Sequence, residues 1–184
     1  RTHGIHKNSN EFYNKKMAFD NNGKPNMWYY EMSDLGHNYR ITDIQAALGN
    51  SQLKKINKFY KTRNEIAKIY NKGFSKNPLI STPKVFKDVK HAYHLYTIII
   101  DFKKLKKTRN EVMLSLKKFN IGTQVLYIPV HLQPYYKKKY NYKLGDFPKA
   151  ENYYKNCLSI PIFYGMKKKE INLVINKINN IIKI

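Results

Sequence analysis

The sequence is poor in several features, and each shortage removes a class of protein. Cys157 is the only cysteine, so an intrachain disulfide is impossible and a reducing cytoplasm is the expected location. No stretch approaches the roughly 18 consecutive apolar residues of a membrane span, so no membrane association is expected. The glycine-rich phosphate loops of many nucleotide-binding proteins are missing too.

Acidic residues and arginine are also scarce. Twelve Asp and Glu face 35 Lys and Arg, which gives a formal net charge of +23. Such a charge is compatible with a basic module that binds nucleic acid or an acidic surface, and this alternative stays open. The cations disfavour nucleic acid, however, because base readout and phosphate forks prefer arginine. Arginine occurs only at positions 1, 40, 63 and 109, and the lysines are spread through the chain.

The most informative stretch is residues 28–52, in which a glycine turn leads into a helix. Thr42 is placed as an N-cap, and Gln45 three residues later completes a capping box. Ile44 and Leu48 recur at helical spacing, which predicts that one face of this helix is buried from its first turn. The residues between Gly36 and Thr42 are therefore expected to be held in place at both ends, as in many binding loops.

Two polar side chains in this loop form a candidate anion site. Asn38 offers a neutral amide, and Arg40 offers a forked cation suited to phosphate. The helix that follows adds unpaired N–H groups and partial positive charge. The residues alone leave an alternative open, in which Arg40 simply pairs with Asp34 or Asp43 on the surface.

The rest of the chain predicts an α+β arrangement. Helical periodicity runs from Thr42 to a C-cap at Gly73, about 30 residues or about 45 Å, unless it breaks near residues 49–51. A helix of this length either links two domains or lines a subunit interface, or it is an ordinary long core helix. Beyond it, the pattern predicts strands, helices and an edge-like segment, over the ranges 91–101 (strand), 108–120 (helix), 123–130 (strand), 149–158 (helix), 159–163 (edge segment) and 171–182 (helix).

Histidine offers few catalytic candidates. His131 follows a strand end, where a side chain can point into a cleft, although a lone histidine is more often a satisfied structural one. His3 and His6 lie close together, but no third ligand at a matching spacing accompanies them, so no metal is predicted. Cys157 lies among apolar residues and is expected to be a small core residue.

Several segments together resemble the pyridoxal-phosphate-dependent nucleotide-sugar aminotransferases of the DegT/DnrJ kind. The resemblance rests on GHNYRITDIQAALG at 36–49, RTHGI at 1–5, YHLY at 93–96, YIPVHLQPYY at 127–136, FPKAE at 147–151 and LSIP at 158–161. The lead-in WYYE at 28–31 resembles the branch that aminates a UDP-4-keto-hexosamine on the way to pseudaminic acid, the UDP-4-amino-4,6-dideoxy-N-acetyl-beta-L-altrosamine transaminases.

The resemblance implies an α/β fold, the C-terminal part of the fold type I aminotransferase architecture. Residues 1–72 would be the end of the large cofactor-binding domain with its linking helix, and residues 73–184 the small C-terminal α+β domain. The enzyme would be a homodimer with active sites at the subunit interface. It would carry pyridoxal 5'-phosphate and move an amino group from glutamate to a 4-keto sugar nucleotide.

Site residues also follow from the resemblance. Asn38 matches the residue that reaches the cofactor phosphate of the other subunit, and Arg40 would serve that phosphate or the nucleotide diphosphate. Tyr127 and His131 would lie on the substrate side. Many relatives have His-Tyr before Ile-Pro, where this chain has Leu126-Tyr127, and this difference bears on sugar specificity.

The cofactor lysine is expected upstream of this chain, in a segment resembling SFHPxK. The chain alone is therefore expected to be an inactive C-terminal fragment that contains no catalytic residue. A relative that lost the lysine and became a sensor is a third alternative. The fragment is also expected to expose apolar surface that the missing part would cover.

Overall fold

The computed structural model describes residues 3–183, so Arg1 and Thr2 of the RTHGI motif lie outside the described part. The chain divides into two compact units, residues 1–54 and 55–184. The helix Ile56–Phe74 lies in the second unit, so this division does not coincide with the domain boundary predicted after residue 72. That boundary stays a prediction about the larger protein.

The first unit is a small, mostly irregular body around a two-stranded sheet. Strands β1 (Ile5–His6) and β2 (Glu31–Met32) pair in an antiparallel manner, with Ile5 opposite Met32. A short helix α1 (Lys15–Ala18) lies between them in sequence, and α2 (Asp43–Leu53) follows. Its core is an aromatic cluster in which Phe12 meets Tyr29 edge to face at 4.9 Å between ring centroids.

The second unit is an antiparallel sheet packed against helices. The strand order is β3 (Ile80–Ser81), β4 (Tyr96–Ile100), β5 (Cys157–Ile160). The helices are α3 (Ile56–Phe74), α4 (Phe102–Leu105), α5 (Arg109–Lys117), α6 (Pro134–Tyr140), α7 (Pro148–Asn156) and α8 (Lys168–Ile181). One continuous core joins the alternate residues of β4 to the apolar stripes of α3, α5 and α8.

The predicted stripe on the last helix is confirmed. Its apolar positions are all buried, at Ile171, Val174, Ile175, Ile178 and, just beyond the helix, Ile182. This face packs on α3 so closely that a Cβ built on Gly73 would lie 2.7 Å from Ile175 Cδ1. The predicted C-cap at Gly73 was therefore wrong: α3 runs on to Phe74, and the glycine provides room for the neighbouring helix.

The predicted single helix from Thr42 to Gly73 was also wrong. It is two helices, and they separate at Lys54 and Lys55, beyond the suspected break at 49–51. None of the residues of α2 is buried, and Ile44 is 76% exposed, so the predicted burial of its apolar face does not occur within this chain. The apolar side chains Ile44 and Leu48 of α2 are exposed to solvent among the described residues. Exposed apolar surfaces of this kind are typical of protein–protein contacts.

Of two predicted strands, one is shorter than expected and the other does not form. Of residues 91–101 only Tyr96–Ile100 forms a strand, because Tyr93 takes a positive φ of 45° just before it. Residues 123–130 form no strand; Gln124 alone makes an antiparallel bridge to Ser159. Pro129 lacks an N–H for a ladder, and it precedes a 3-10 turn at Val130–Leu132.

Candidate functional site

The loop that leads to α2 is tied to the first residues of the chain. A Cβ built on Gly36 would lie 2.1 Å from the backbone N of Gly4, so only glycine permits this approach. The reciprocal Cβ on Gly4 would meet the carbonyl oxygen of Asp34. The N–H of Ser33 donates to the Gly4 carbonyl at 3.0 Å, which continues the β1–β2 pairing into the loop.

The other end of the loop is closed by the predicted capping box. Gln45 N–H donates to Thr42 Oγ1 at 3.3 Å, and Thr42 N–H donates to Gln45 Oε1 at 3.0 Å. Asp43 places a carboxylate in the first turn, which the helix dipole favours. This confirms the sequence prediction of a capped helix that begins at Asp43.

Arg40 and Asn38 lie between these two ends and are exposed. Arg40 Nη2 lies 3.2 Å from His3 Nε2, and neither Asp34 nor Asp43 pairs with it. Within residues 3–183, the ion pairs are Lys104 with Asp101 and His131 with Glu151. The alternative in which Arg40 neutralises a nearby aspartate is therefore not observed, and its charge remains available to a ligand.

These groups fit a bound phosphate. The guanidinium of Arg40 and the amide of Asn38 are charged and neutral donors respectively, and the first turn of α2 leaves backbone N–H groups without intrahelical acceptors. The set contains donors and one uncompensated cation, as recognition of a phosphate dianion requires. Asn38 and Arg40 carry no acid, base or nucleophile at neutral pH, so the chemistry of this pair is binding and charge neutralisation.

A carboxylate that sequence reasoning missed organises the same unit. Glu31 accepts hydrogen bonds from the N–H groups of Tyr13 (2.6 Å) and Asn14 (2.7 Å) and from the hydroxyl of Tyr29 (2.8 Å). The two backbone donors lower the pKa of Glu31 below its ordinary value, against a smaller opposing effect of burial. In the sequence, the feature that could have pointed to Glu31 was its position in the WYYE motif, directly after three aromatic residues.

The substrate-side candidates lie in the second unit. Tyr127 is 72% exposed, whereas His131 is only 6% exposed, so the two side chains have different surroundings. His131 Nε2 lies 2.8 Å from Glu151 Oε1, and its ring packs on Phe147 with centroids 4.7 Å apart. His131 is thus engaged within the chain, while Tyr127 is free to meet a ligand.

Glu151 is the second carboxylate that sequence reasoning did not single out. Besides His131, it accepts from the N–H groups of Gly145 (2.9 Å) and Phe147 (3.3 Å). Partial burial raises the pKa of Glu151, but these hydrogen bonds outweigh it, and the net pKa lies below the ordinary value. Part of the signal was available: Pro148 is typical of a helix start, and Glu151 places a carboxylate in the first turn, where unpaired backbone N–H groups favour negative charge.

Other candidates contribute nothing to the site. No group of three or more metal-ligating side chains occurs among residues 3–183, His3 and His6 included. Cys157 is fully buried, as expected, and burial raises the pKa of its thiol. Across the part of the chain that the structure describes, no helix is long and apolar enough to cross a membrane.

Most of the chain resembles a known protein family. Residues 2–179 match the DegT/DnrJ/EryC1/StrS aminotransferase family. A UDP-4-amino-4,6-dideoxy-N-acetyl-beta-L-altrosamine transaminase of Campylobacter jejuni is 39% identical over 153 residues, covering 82% of this chain and 39% of that protein. The chain spans less than half the length of the curated relatives that it matches.

Solved structures agree in fold. Helicobacter pylori PseC, an aminotransferase involved in the biosynthesis of pseudoaminic acid, superimposes with a TM-score of 0.77 at 26% identity, over 99% of this chain and 44% of that one. The PLP-form of a sugar aminotransferase of Streptococcus pneumoniae (Spr1654, described as putative) superimposes with a TM-score of 0.74 at 25% identity, over 84% and 39%. The predicted α/β aminotransferase fold is confirmed, and the chain belongs to the DegT/DnrJ/EryC1/StrS aminotransferase family.

Proposed function

We propose that this chain is part of a pyridoxal-phosphate-dependent transaminase that moves an amino group from glutamate to a 4-keto sugar nucleotide. The observation that carries the proposal is the loop ahead of α2, where Arg40 is exposed and paired with no carboxylate. In a family of sugar aminotransferases, an anion-binding loop of this kind is suited to the phosphate of the cofactor.

Asn38 and Arg40 act by positioning. The amide and the guanidinium would hold the phosphate of pyridoxal 5'-phosphate, which when bound supplies the electron sink for amino-group transfer. The lysine that carries the cofactor would belong to the part of the relatives' length that this chain does not span, since the chain covers 39% of the Campylobacter jejuni transaminase. The chain alone would accordingly be inactive, and Asn38 and Arg40 supply donors and charge neutralisation.

The active site is completed at a homodimer interface. The apolar positions of α2 that remain exposed support this proposal, since Ile44 is 76% and Leu48 62% exposed on the helix that follows Arg40. Contiguous exposed apolar residues mark surfaces that another protein segment covers. Asn38 and Arg40 would then reach the cofactor of the other subunit.

The substrate side is formed by residues 127–131. Tyr127 is exposed and would contact the sugar nucleotide directly. His131 contributes to the same segment from its buried position. The relatives named as UDP-sugar transaminases favour a UDP-linked 4-keto-hexosamine as substrate.

The experiment uses the complete protein with Asn38→Ala and Arg40→Ala. The dissociation constant of pyridoxal 5'-phosphate, titrated by the absorbance of the bound cofactor, should rise about tenfold or more, because a charge-assisted hydrogen bond is lost. Arg40→Lys should be intermediate, since it keeps the charge without the fork. Asn50→Ala, an exposed amide further along α2, is the matched control. Unchanged cofactor affinity in both Asn38→Ala and Arg40→Ala would rule out the assignment.

A further inference from the structure

Two stretches of the chain, YIPVHLQPYY and FPKAE, meet in the structure. The proposed function uses Tyr127 and His131 of the first stretch but no residue of the second. His131 of the first and Glu151 of the second form an ion pair or neutral hydrogen bond of 2.8 Å, with side chains 6% and 15% exposed. We propose that Glu151 is a positioning residue that acts through His131 to hold residues 127–131 in place for the sugar nucleotide. This inference rests on the proposed function.

Glu151 gathers donors from three places in the chain. Its Oε1 accepts from His131 Nε2, from Gly145 N–H and from Phe147 N–H, and its Oε2 lies 3.1 Å from Gly145 N. Gly145 takes a φ of +102°, a conformation that glycine adopts readily and that turns its N–H towards the carboxylate. One side chain in the first turn of α7 therefore ties the 3-10 turn that contains His131 to the loop before α7.

Aromatic packing encloses the contact. The His131 ring lies against Phe147 at 4.7 Å and meets Tyr142 edge-on at 6.4 Å, and Phe147 and Tyr142 meet each other at 5.5 Å. Hydrogen bonds that are shielded from water are electrostatically stronger than exposed ones. This gives the contact more rigidity than a surface ion pair would have.

The consequence for the substrate side lies in the segment just before His131. At its start, Gln124 and Ser159 exchange two backbone hydrogen bonds, of 2.8 and 3.1 Å. At its end, Glu151 holds His131. Between these anchors Tyr127 is 72% exposed, and a segment fixed at both ends presents such a side chain in a defined position. Loss of the contact between Glu151 and His131 would leave Tyr127 exposed on the surface but would allow it to adopt several orientations.

The first measurement is hydrogen exchange on the complete protein. Among residues 3–183, Glu151 is the only acceptor found for the N–H groups of Gly145 and Phe147. In Glu151→Ala their exchange should quicken about tenfold or more, while strand β4 keeps its protection. Glu151→Gln keeps one acceptor oxygen and should be intermediate. The control is Glu111→Ala, which removes a carboxylate from the first turn of α5, where it accepts from the N–H and the hydroxyl of Thr108.

The second measurement is steady-state kinetics of the complete protein with a UDP-linked 4-keto-hexosamine. Glu151→Ala should raise the KM for this substrate about tenfold and change kcat much less, because a misplaced contact weakens binding before it affects chemistry. His131→Ala should do the same, and the double variant should cost no more than either single one. Glu111→Ala should lower the melting temperature and leave the KM unchanged.

Two results would overturn the proposal: unchanged exchange at Gly145 and Phe147 in Glu151→Ala, or altered exchange with an unchanged KM in an active enzyme. A purely structural capping role predicts the second result. If the wild-type protein shows no transamination, the proposed function fails instead. The positioning role is then decided by calorimetric binding of a UDP-linked N-acetylhexosamine, with the same tenfold comparison between wild type and Glu151→Ala.

Discussion

Arg40 Nη2 lies 3.2 Å from His3 Nε2, although 37 positions separate the two residues. The contact exists because Gly4 and Gly36 let their backbones meet without Cβ atoms between them. An imidazole ring brings no negative charge to a guanidinium, whereas a carboxylate would neutralise it. The contact with His3 therefore leaves the Arg40 cation available for a phosphate.

The approach of Gly4 and Gly36 predicts a specific sensitivity. In Gly36→Ala the new Cβ would lie 2.1 Å from the Gly4 nitrogen, so the backbone must move. We expect a loss of about 1–3 kcal/mol in the first unit, as for other overpacked sites. Faster exchange of the Ser33 N–H, which donates to Gly4, reports the change. Gly122→Ala, where no atom lies within 4 Å of the new Cβ, should be silent.

Glu31 predicts how the first unit responds to acid. Its pKa is lowered in the folded state by the N–H groups of Tyr13 and Asn14, so its contribution is complete above the unfolded value of about 4.3. That contribution is lost as the pH falls through the lower, folded value. The difference in exchange protection between wild type and Glu31→Gln should therefore be large at neutral pH and vanish in this acid range. A difference that does not change with pH would contradict the prediction. Glu65→Gln, an exposed acid on α3, is the control.

The two helical glycines at positions 49 and 73 should respond to alanine in opposite ways. Gly49 has nothing within 4 Å of a new Cβ, so Gly49→Ala should stabilise α2 by about 0.5–1 kcal/mol. Gly73→Ala would meet Cδ1 and Cγ2 of Ile175 at 2.7 and 2.8 Å, and the overpacking should outweigh the gain in helix propensity by about 1 kcal/mol. Urea unfolding measures both.

A second substitution tests the cause of the Gly73 effect. Adding Ile175→Ala to Gly73→Ala should cost less than the sum of the two single changes, because the new methyl fills part of the space. Strict additivity would show that the two side chains do not meet in solution.

The exposed face of α2 predicts self-association of the chain. Ile44 and Leu48 each offer a burial free energy of roughly 1.5–3 kcal/mol to a partner surface. Ile44→Glu with Leu48→Glu should reduce the concentration-dependent increase in sedimentation coefficient. The matched pair Leu114→Glu with Leu173→Glu, at exposed positions of α5 and α8, should not. Equal effects of the two pairs would mean that association is not specific to α2.

Local features that depend on near neighbours were predictable from the amino-acid sequence alone. The capping box at Thr42 and Gln45 and the stripe of α8 were correctly predicted, since caps and helical periodicity involve residues three or four positions apart. The identity of the family likewise depends on short motifs, which are local in sequence.

Which of these features come into contact depends on how distant segments pack. The contacts of His3 with Arg40 and of His131 with Glu151 join segments 37 and 20 positions apart, and no periodicity encodes such distances. The same holds for α2 and Gly73: the pattern showed an apolar face and a glycine, but burial depends on which partner surface is present. Local chemistry sets what each segment can become, and the packing of distant segments decides what it contacts.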